Sequence, residues 1–157
     1  MNTNKKRIGL LVGLVGVIST IVSLFIPYAK SGKESKSLFD IARLYIESGS
    51  SMWNDKQRET FYKIFVPLML GLIVLFAIIY LIKCIKSKTI GMIISNILTI
   101  AAYELLKWDF ADRRVVPGAC DKGIAFTVMY IAFALMIAGI VVSMIEKKKQ
   151  ASDENNG

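Results

Sequence analysis

The chain contains no histidine. That absence removes the commonest general base and proton shuttle near neutral pH, and the commonest metal ligand. Cysteine is scarce as well. Cys84 and Cys120 stand alone, without a CxxC, which argues against paired-thiol redox chemistry. There is no basic face interleaved with aromatics and no recognition-helix pattern, so nucleic acid is not an expected partner. The period-2 alternation of a membrane β-barrel is also missing. No cofactor and no metal site is expected from these residues.

What the chain has is long stretches without charge. Of its 157 residues 54% are hydrophobic, and the mean hydropathy is +0.52. Residues 8–26 and 64–82 form uncharged runs of 19 residues each, and 123–145 a run of 23. Residues 89–103 give 15, with Glu104 and then Trp108 following. A helix of roughly 20 residues crosses a hydrocarbon core of about 30 Å. Backbone polar groups cannot go unpaired in lipid, so the runs are expected to be helices.

The expected fold is therefore an all-α integral membrane protein. It is a four-transmembrane-helix bundle with spans at about 8–27, 61–84, 89–107 and 123–146. Outer segments cover 28–60 and 108–122, and 150–157 form a polar, disordered tail. The basic run Lys5, Lys6, Arg7 before the first span could also begin a secretory signal. The 19-residue run exceeds the about 7–15 residues of a signal core and favours an anchor.

Basic residues set the orientation. Nine lie within 25 residues next to the membrane on the terminal side, against eleven spread over 56 on the other. The denser side is expected to be cytoplasmic, giving N-in/C-in. The net charge of +8 then resolves into clusters of three: Lys5, Lys6, Arg7; Lys83, Lys86, Lys88; and Lys147, Lys148, Lys149. Lipid-specific patches carry about 4–8 such residues, so these read as topology anchors.

In the first outer segment Ser37 and Asp40 form a capping-box-like start. Leu38, Ile41, Ala42 and Tyr45 follow at helical spacing, and Gly49 is a plausible stop. This predicts a short amphipathic helix that caps the bundle or lies on the outer leaflet. Asn54 and Gln57 suggest a second helix start near Asp55, which would place Pro67 inside span two; a start at Val66 would leave Pro67 in the first turn. Phe61, Tyr62 and Phe65 read as interfacial anchors. In the second outer segment Asp109, Asp112, Arg113 and Arg114 form a possible outer-surface site. The structural reading is a hydrogen-bonded loop network of Asp112 with Arg113 and Arg114.

Small and polar residues inside the spans mark helix packing or a partner interface. They are Gly9 and Gly13; Gly91, Ser95, Asn96 and Thr99; Ala134 and Ala138; and Gly139 and Ser143. Small residues four apart let helices approach closely in lipid.

The stretch from Trp108-Asp-Phe-Ala-Asp-Arg-Arg114 through Pro117 to Asp121-Lys-Gly-Ile-Ala-Phe126 resembles small four-span membrane proteins of uncharacterised function from low-GC Gram-positive bacteria. The resemblance covers the layout and implies a bacterial plasma membrane and no activity. Four spans with a larger first outer loop are similar to claudins and tetraspanins in topology alone, because Trp53 has no cysteine in its loop. The expected function is non-enzymatic: an accessory, subunit or immunity-type protein that binds another membrane component, with membrane lipids, another membrane protein or a second copy as partners. One alternative is a small oligomeric transporter or channel using Asn96, Thr99 and Glu104. The remaining one is an enzyme using Asp109 and Asp112.

Overall fold

A computed structural model describes residues 7–47 and 56–155. Helix α1 (Ile8–Ser23) leads into a hairpin, β1 (Pro27–Ser31) and β2 (Glu34–Ser37), and then helix α2 (Leu38–Glu47). Two long helices follow, α3 (Lys56–Ile85) and α4 (Thr89–Asp112). A turn and the short strand β3 (Asp121–Lys122) then lead to helix α5 (Ala125–Asn155). Three stretches, Lys63–Ile85, Thr89–Asp112 and Ala125–Ser152, are long and apolar enough to cross a membrane. The α1 helix is apolar but shorter.

Each boundary has a local cause. Pro27 disfavours helical geometry at the residue before it, and α1 stops at Ser23 rather than reaching 27. At 16 residues α1 is about 24 Å long. The α3 helix already begins at Lys56, so Pro67 lies in its interior, where it removes one intrahelical hydrogen bond. Asn54 and Gly49 lie outside the described residues. The turn from α3 to α4 takes only residues 86–88, with Ser87 at φ 53 and the Lys88 amide donating to the Lys83 carbonyl at 2.8 Å. So short a connection forces α3 and α4 to run antiparallel.

Two helices outlast their expected ends. The α4 helix continues past 107 to Asp112, because Thr99, Tyr103, Leu106 and Phe110 keep one buried face at helical spacing. The α5 helix continues past 146 to Asn155, so the tail expected to be disordered is helical over 150–155.

The helices pack α1 against α5 and α3, and α4 against α3 and α5. Their outward faces are apolar: Ile90, Ile94, Ile97, Leu105 and Trp108 on α4, and Leu11, Val15 and Ile18 on α1, are all exposed. Such faces suit lipid rather than water. At the terminal end the Glu146 carboxylate accepts the Ile8 amide at 2.8 Å and the Gly9 amide at 3.4 Å, filling the vacant donors of the first turn of α1. Lys147 reaches Thr89 Oγ1 at 3.0 Å and the Ser87 carbonyl, tying α5 to the α3–α4 turn.

The opposite end carries a feature the all-α expectation omitted. Strands β2, β1 and β3 form an antiparallel sheet in that order. Its hairpin turns in two residues, with Gly32 at φ 59, a conformation glycine adopts without strain. Ala29 and Lys30 pair with Lys122 and Asp121, joining segments about ninety residues apart.

Candidate functional site

Where α1 crosses α5 the two helices come into backbone contact. A Cβ on Gly9 would sit 2.7 Å from the Ser143 backbone nitrogen, and one on Gly139 would sit 2.8 Å from Gly13 Cα. One on Gly16 would sit 2.8 Å from the Met136 side chain and 3.0 Å from the Ala132 carbonyl. Small residues are required here because the two backbones touch. Tyr80 of α3 fills the notch beside Gly13 and Gly139, and its hydroxyl donates to the Met136 carbonyl at 2.7 Å. Below this point Thr20 and Ser23 place their hydroxyls 3.7 Å and 3.4 Å from the sulfurs of Met136 and Met129, while also donating to α1 carbonyls.

Gly9, Gly13, Gly139 and Ser143 thus meet at this crossing. Gly16, Tyr80 and Met136 complete the contact and were not singled out, although Gly9, Gly13, Gly16, Thr20 and Ser23 continue one helical stripe. Ala134 is exposed and Ala138 half-buried, so their pair faces away from this crossing. Gly91 admits the aliphatic stem of Lys83 from the preceding helix. Ser95 and Thr99 are buried, and their hydroxyls donate to the carbonyls of Gly91 and Ser95 at 2.7 Å and 2.8 Å. Asn96 is buried beside them, with its Oδ1 lacking a hydrogen-bond partner. Glu104 does not join them. Its carboxylate accepts from the Tyr130 hydroxyl at 2.7 Å and pairs with Lys107.

The four residues of the outer segment separate. Because α4 runs on to Asp112, the ion pair is Asp109 with Arg113, one helical turn apart and largely buried, rather than the expected network around Asp112. Arg113 also donates to the Tyr45 hydroxyl at 2.5 Å and lies 5.2 Å from the ring centroids of both Tyr45 and Phe110. It therefore clamps α2 onto α4. Asp112 and Arg114 are exposed. Among the described residues no three His, Cys, Asp or Glu side chains group as a metal site.

The cap itself is assembled from the hairpin, α2 and the 113–120 turn. The Ser37 hydroxyl accepts the Asp40 amide at 3.1 Å, and the Asp40 carboxylate accepts the Ser37 amide at 3.0 Å, so the reciprocal capping box forms as expected. Those bonds hold the Asp40 carboxyl below the usual carboxylate range. Leu38, Ile41 and Ala42 are buried and Tyr45 is half-buried, the face the spacing predicted. On the other side of the sheet Tyr28 is fully buried, stacked 4.3 Å from the Phe126 ring and 5.8 Å from that of Phe110. Burial pushes its phenol pKa up. Gly123 closes the joint. Its amide donates to the Tyr28 carbonyl at 2.7 Å, and a Cβ there would fall 2.1 Å from the Pro27 carbonyl oxygen.

Between the sheet, α2 and the turn lies a cavity of about 440 Å³. Ala29, Ile41, Leu44, Tyr45, Val115, Ala119 and Cys120 make its apolar lining, and Ser31, Glu34 and Lys36 its polar part. The size is within the about 300–1,000 Å³ of small-molecule sites, which are mostly apolar with a few polar groups. Cys120 is a free, half-buried thiol in this wall, and Cys84 is free and buried in α3. The 113–120 turn that shapes one side has Arg114 at φ 53 and Gly118 at φ 153. The sequence marked this turn only by Pro117-Gly118.

No protein-family model, curated protein or solved structure matches the chain.

Proposed function

We propose that the chain is a four-span plasma-membrane protein with both ends on the cytoplasmic side, working without catalysis by binding another membrane component through its outer cap. The observation that carries this reading is the cap: a sheet, a helix and a turn joined by strand pairing and the Arg113 contacts on the ends of apolar helices, with an open cavity between them. Those bonds support recognition, since a pre-organised binding surface loses less entropy on association. The short α1 joins the three longer apolar helices as a span because its glycine stripe packs along α5 and its other face is apolar.

The transporter reading gains no support from Asn96, Thr99 and Glu104, since Thr99 is bonded within its own helix and Glu104 is paired outside it. The enzyme reading gains none from Asp109, which is committed to Arg113.

Single cysteines at Ser31 and Ser152, in a protein with Cys84 and Cys120 replaced by serine, test the threading. A membrane-impermeant maleimide added to intact cells is expected to label position 31 and spare position 152. The reverse pattern overturns the orientation, and labelling of both or neither overturns the four-span reading. Gentle solubilisation followed by affinity capture tests the binding role. Recovery of the chain without protein or lipid, under conditions that preserve other membrane complexes, overturns it.

A further inference from the structure

The outer cavity has walls of one chemistry and a polar part of another. Seven of its lining residues are Ala, Ile, Leu, Tyr, Val or Cys, which offer water in the cavity few hydrogen-bond partners. A polar ligand or hydrated ion finds little to bond to along those walls, whereas a hydrocarbon chain fits them. The polar groups come from one face of the hairpin. In the strand register Ser31 is opposite Glu34 and Ala29 opposite Lys36, so the carboxylate and the ammonium stand two residues apart on β2 with their side chains on the same side of the sheet. One negative and one positive group therefore stand at the same cavity.

We infer that this cavity seats one acyl chain of a lipid whose headgroup carries both charges, its phosphate turned to Lys36 and its ammonium to Glu34. The charge pattern selects the head: an anionic lipid would satisfy Lys36 and be repelled by Glu34, whereas a zwitterionic one meets both. The walls select the chain, because apolar area is what the cavity has to bury. This deepens the binding role proposed above by naming the ligand class, and it rests on that role.

Cys120 in the cavity wall is a built-in reporter, and buried Cys84 at the far end of the molecule is its control. The full chain, solubilised in maltoside, is treated with N-ethylmaleimide alone or with oleoyl lysophosphatidylethanolamine, oleoyl lysophosphatidylglycerol or oleate. Alkylation at each thiol is followed by mass spectrometry. The zwitterionic lysolipid is expected to slow Cys120 about tenfold when present at about ten times its dissociation constant, with the two anions weaker and Cys84 unchanged. Glu34→Lys should invert the ranking, so that lysophosphatidylglycerol and oleate protect best. Lys36→Glu should remove protection by all three. Both positions are exposed, so neither substitution disturbs the packing. Absence of protection overturns the inference, as does equal protection by the three lipids in wild type and both variants. Maltoside micelles impose no sidedness, so a failure here leaves the threading result standing, and a failed threading experiment leaves this one readable.

Discussion

The α1–α5 crossing and the cap both tie the first third of the chain to its last part, and they do so by different means. At the crossing two backbones meet, and glycine leaves nothing between them. In the cap the first third is joined to the segment before α5 by strand pairing and ring stacking, Arg113 lies against two rings to hold α2 on α4, and a cavity remains beside them. The difference is the one that the proposed four-span arrangement would produce. In lipid a helix gains nothing from burying apolar area against another helix, so association comes from close van der Waals contact and the few hydrogen bonds available. In water, apolar burial, strand pairing and capping bonds can assemble a sheet and a short helix, with close backbone approach at the single joint of Gly123 on Pro27.

Substitutions that separate the two regions sharpen this contrast. The largest effect is expected for Gly139→Leu, because its Cβ falls on the Gly13 backbone and neither helix can yield locally. A loss of about 3 kcal/mol or more, the upper end for overpacking, should appear as a lowered unfolding midpoint in detergent. Gly123→Ala is expected to follow at about 2 kcal/mol, since its Cβ meets the Pro27 carbonyl, and it should open the β1–β3 pairing while leaving the α1–α5 contact intact. Amide exchange separates the two: faster at residues 29 and 122 for Gly123→Ala, faster along α1 for Gly139→Leu. If both variants loosened both regions equally, the cap and the crossing would be one cooperative unit.

Smaller effects test single bonds. Tyr80→Phe removes the hydroxyl from the Met136 carbonyl and should cost about 1–1.5 kcal/mol in the same unfolding measurement. Ser37→Ala removes the helix cap and should cost about 1 kcal/mol, confined to amide exchange in α2. The smallest effect is a pH dependence. The folded Asp40 pKa is depressed by its bonds from Ser37. Its contribution is therefore full above the ordinary aspartate value of about 4 and is lost as pH falls through the lower folded value. Exchange in α2 should quicken in that window in the wild type, and the step should shrink in Ser37→Ala, which keeps only the backbone bond to Asp40.

Much of this architecture was legible one residue at a time. The uncharged runs marked the long helices because a helix satisfies its own backbone, so length and polarity are sufficient signals. Ser37 with Asp40 and the face of Leu38, Ile41, Ala42 and Tyr45 were readable for the same reason: each partner lies within a turn or two. The end of α4 was misread because tertiary burial outweighed a local signal. Asp109 looked like part of a charged loop until Tyr103, Leu106 and Phe110 were seen to carry α4 through it. The candidate site was barely legible. Asp112 and Arg114 drew notice as charges, while the cavity is lined by residues from positions 29 to 120 that share no spacing.

The sequence by itself determined that the chain forms long apolar helices, where the first short helix begins, and which faces of α1 and α5 carry small residues. These depend on composition and on neighbours three or four positions away. Only the tertiary structure decided that Tyr28 and Gly123 meet, that β1 takes β3 as its second partner, and that a cavity remains beside them. Those features exist because segments about ninety residues apart are brought together by the packing of α1 on α5. No local preference of Ala29, Lys30, Asp121 or Lys122 encodes that distance.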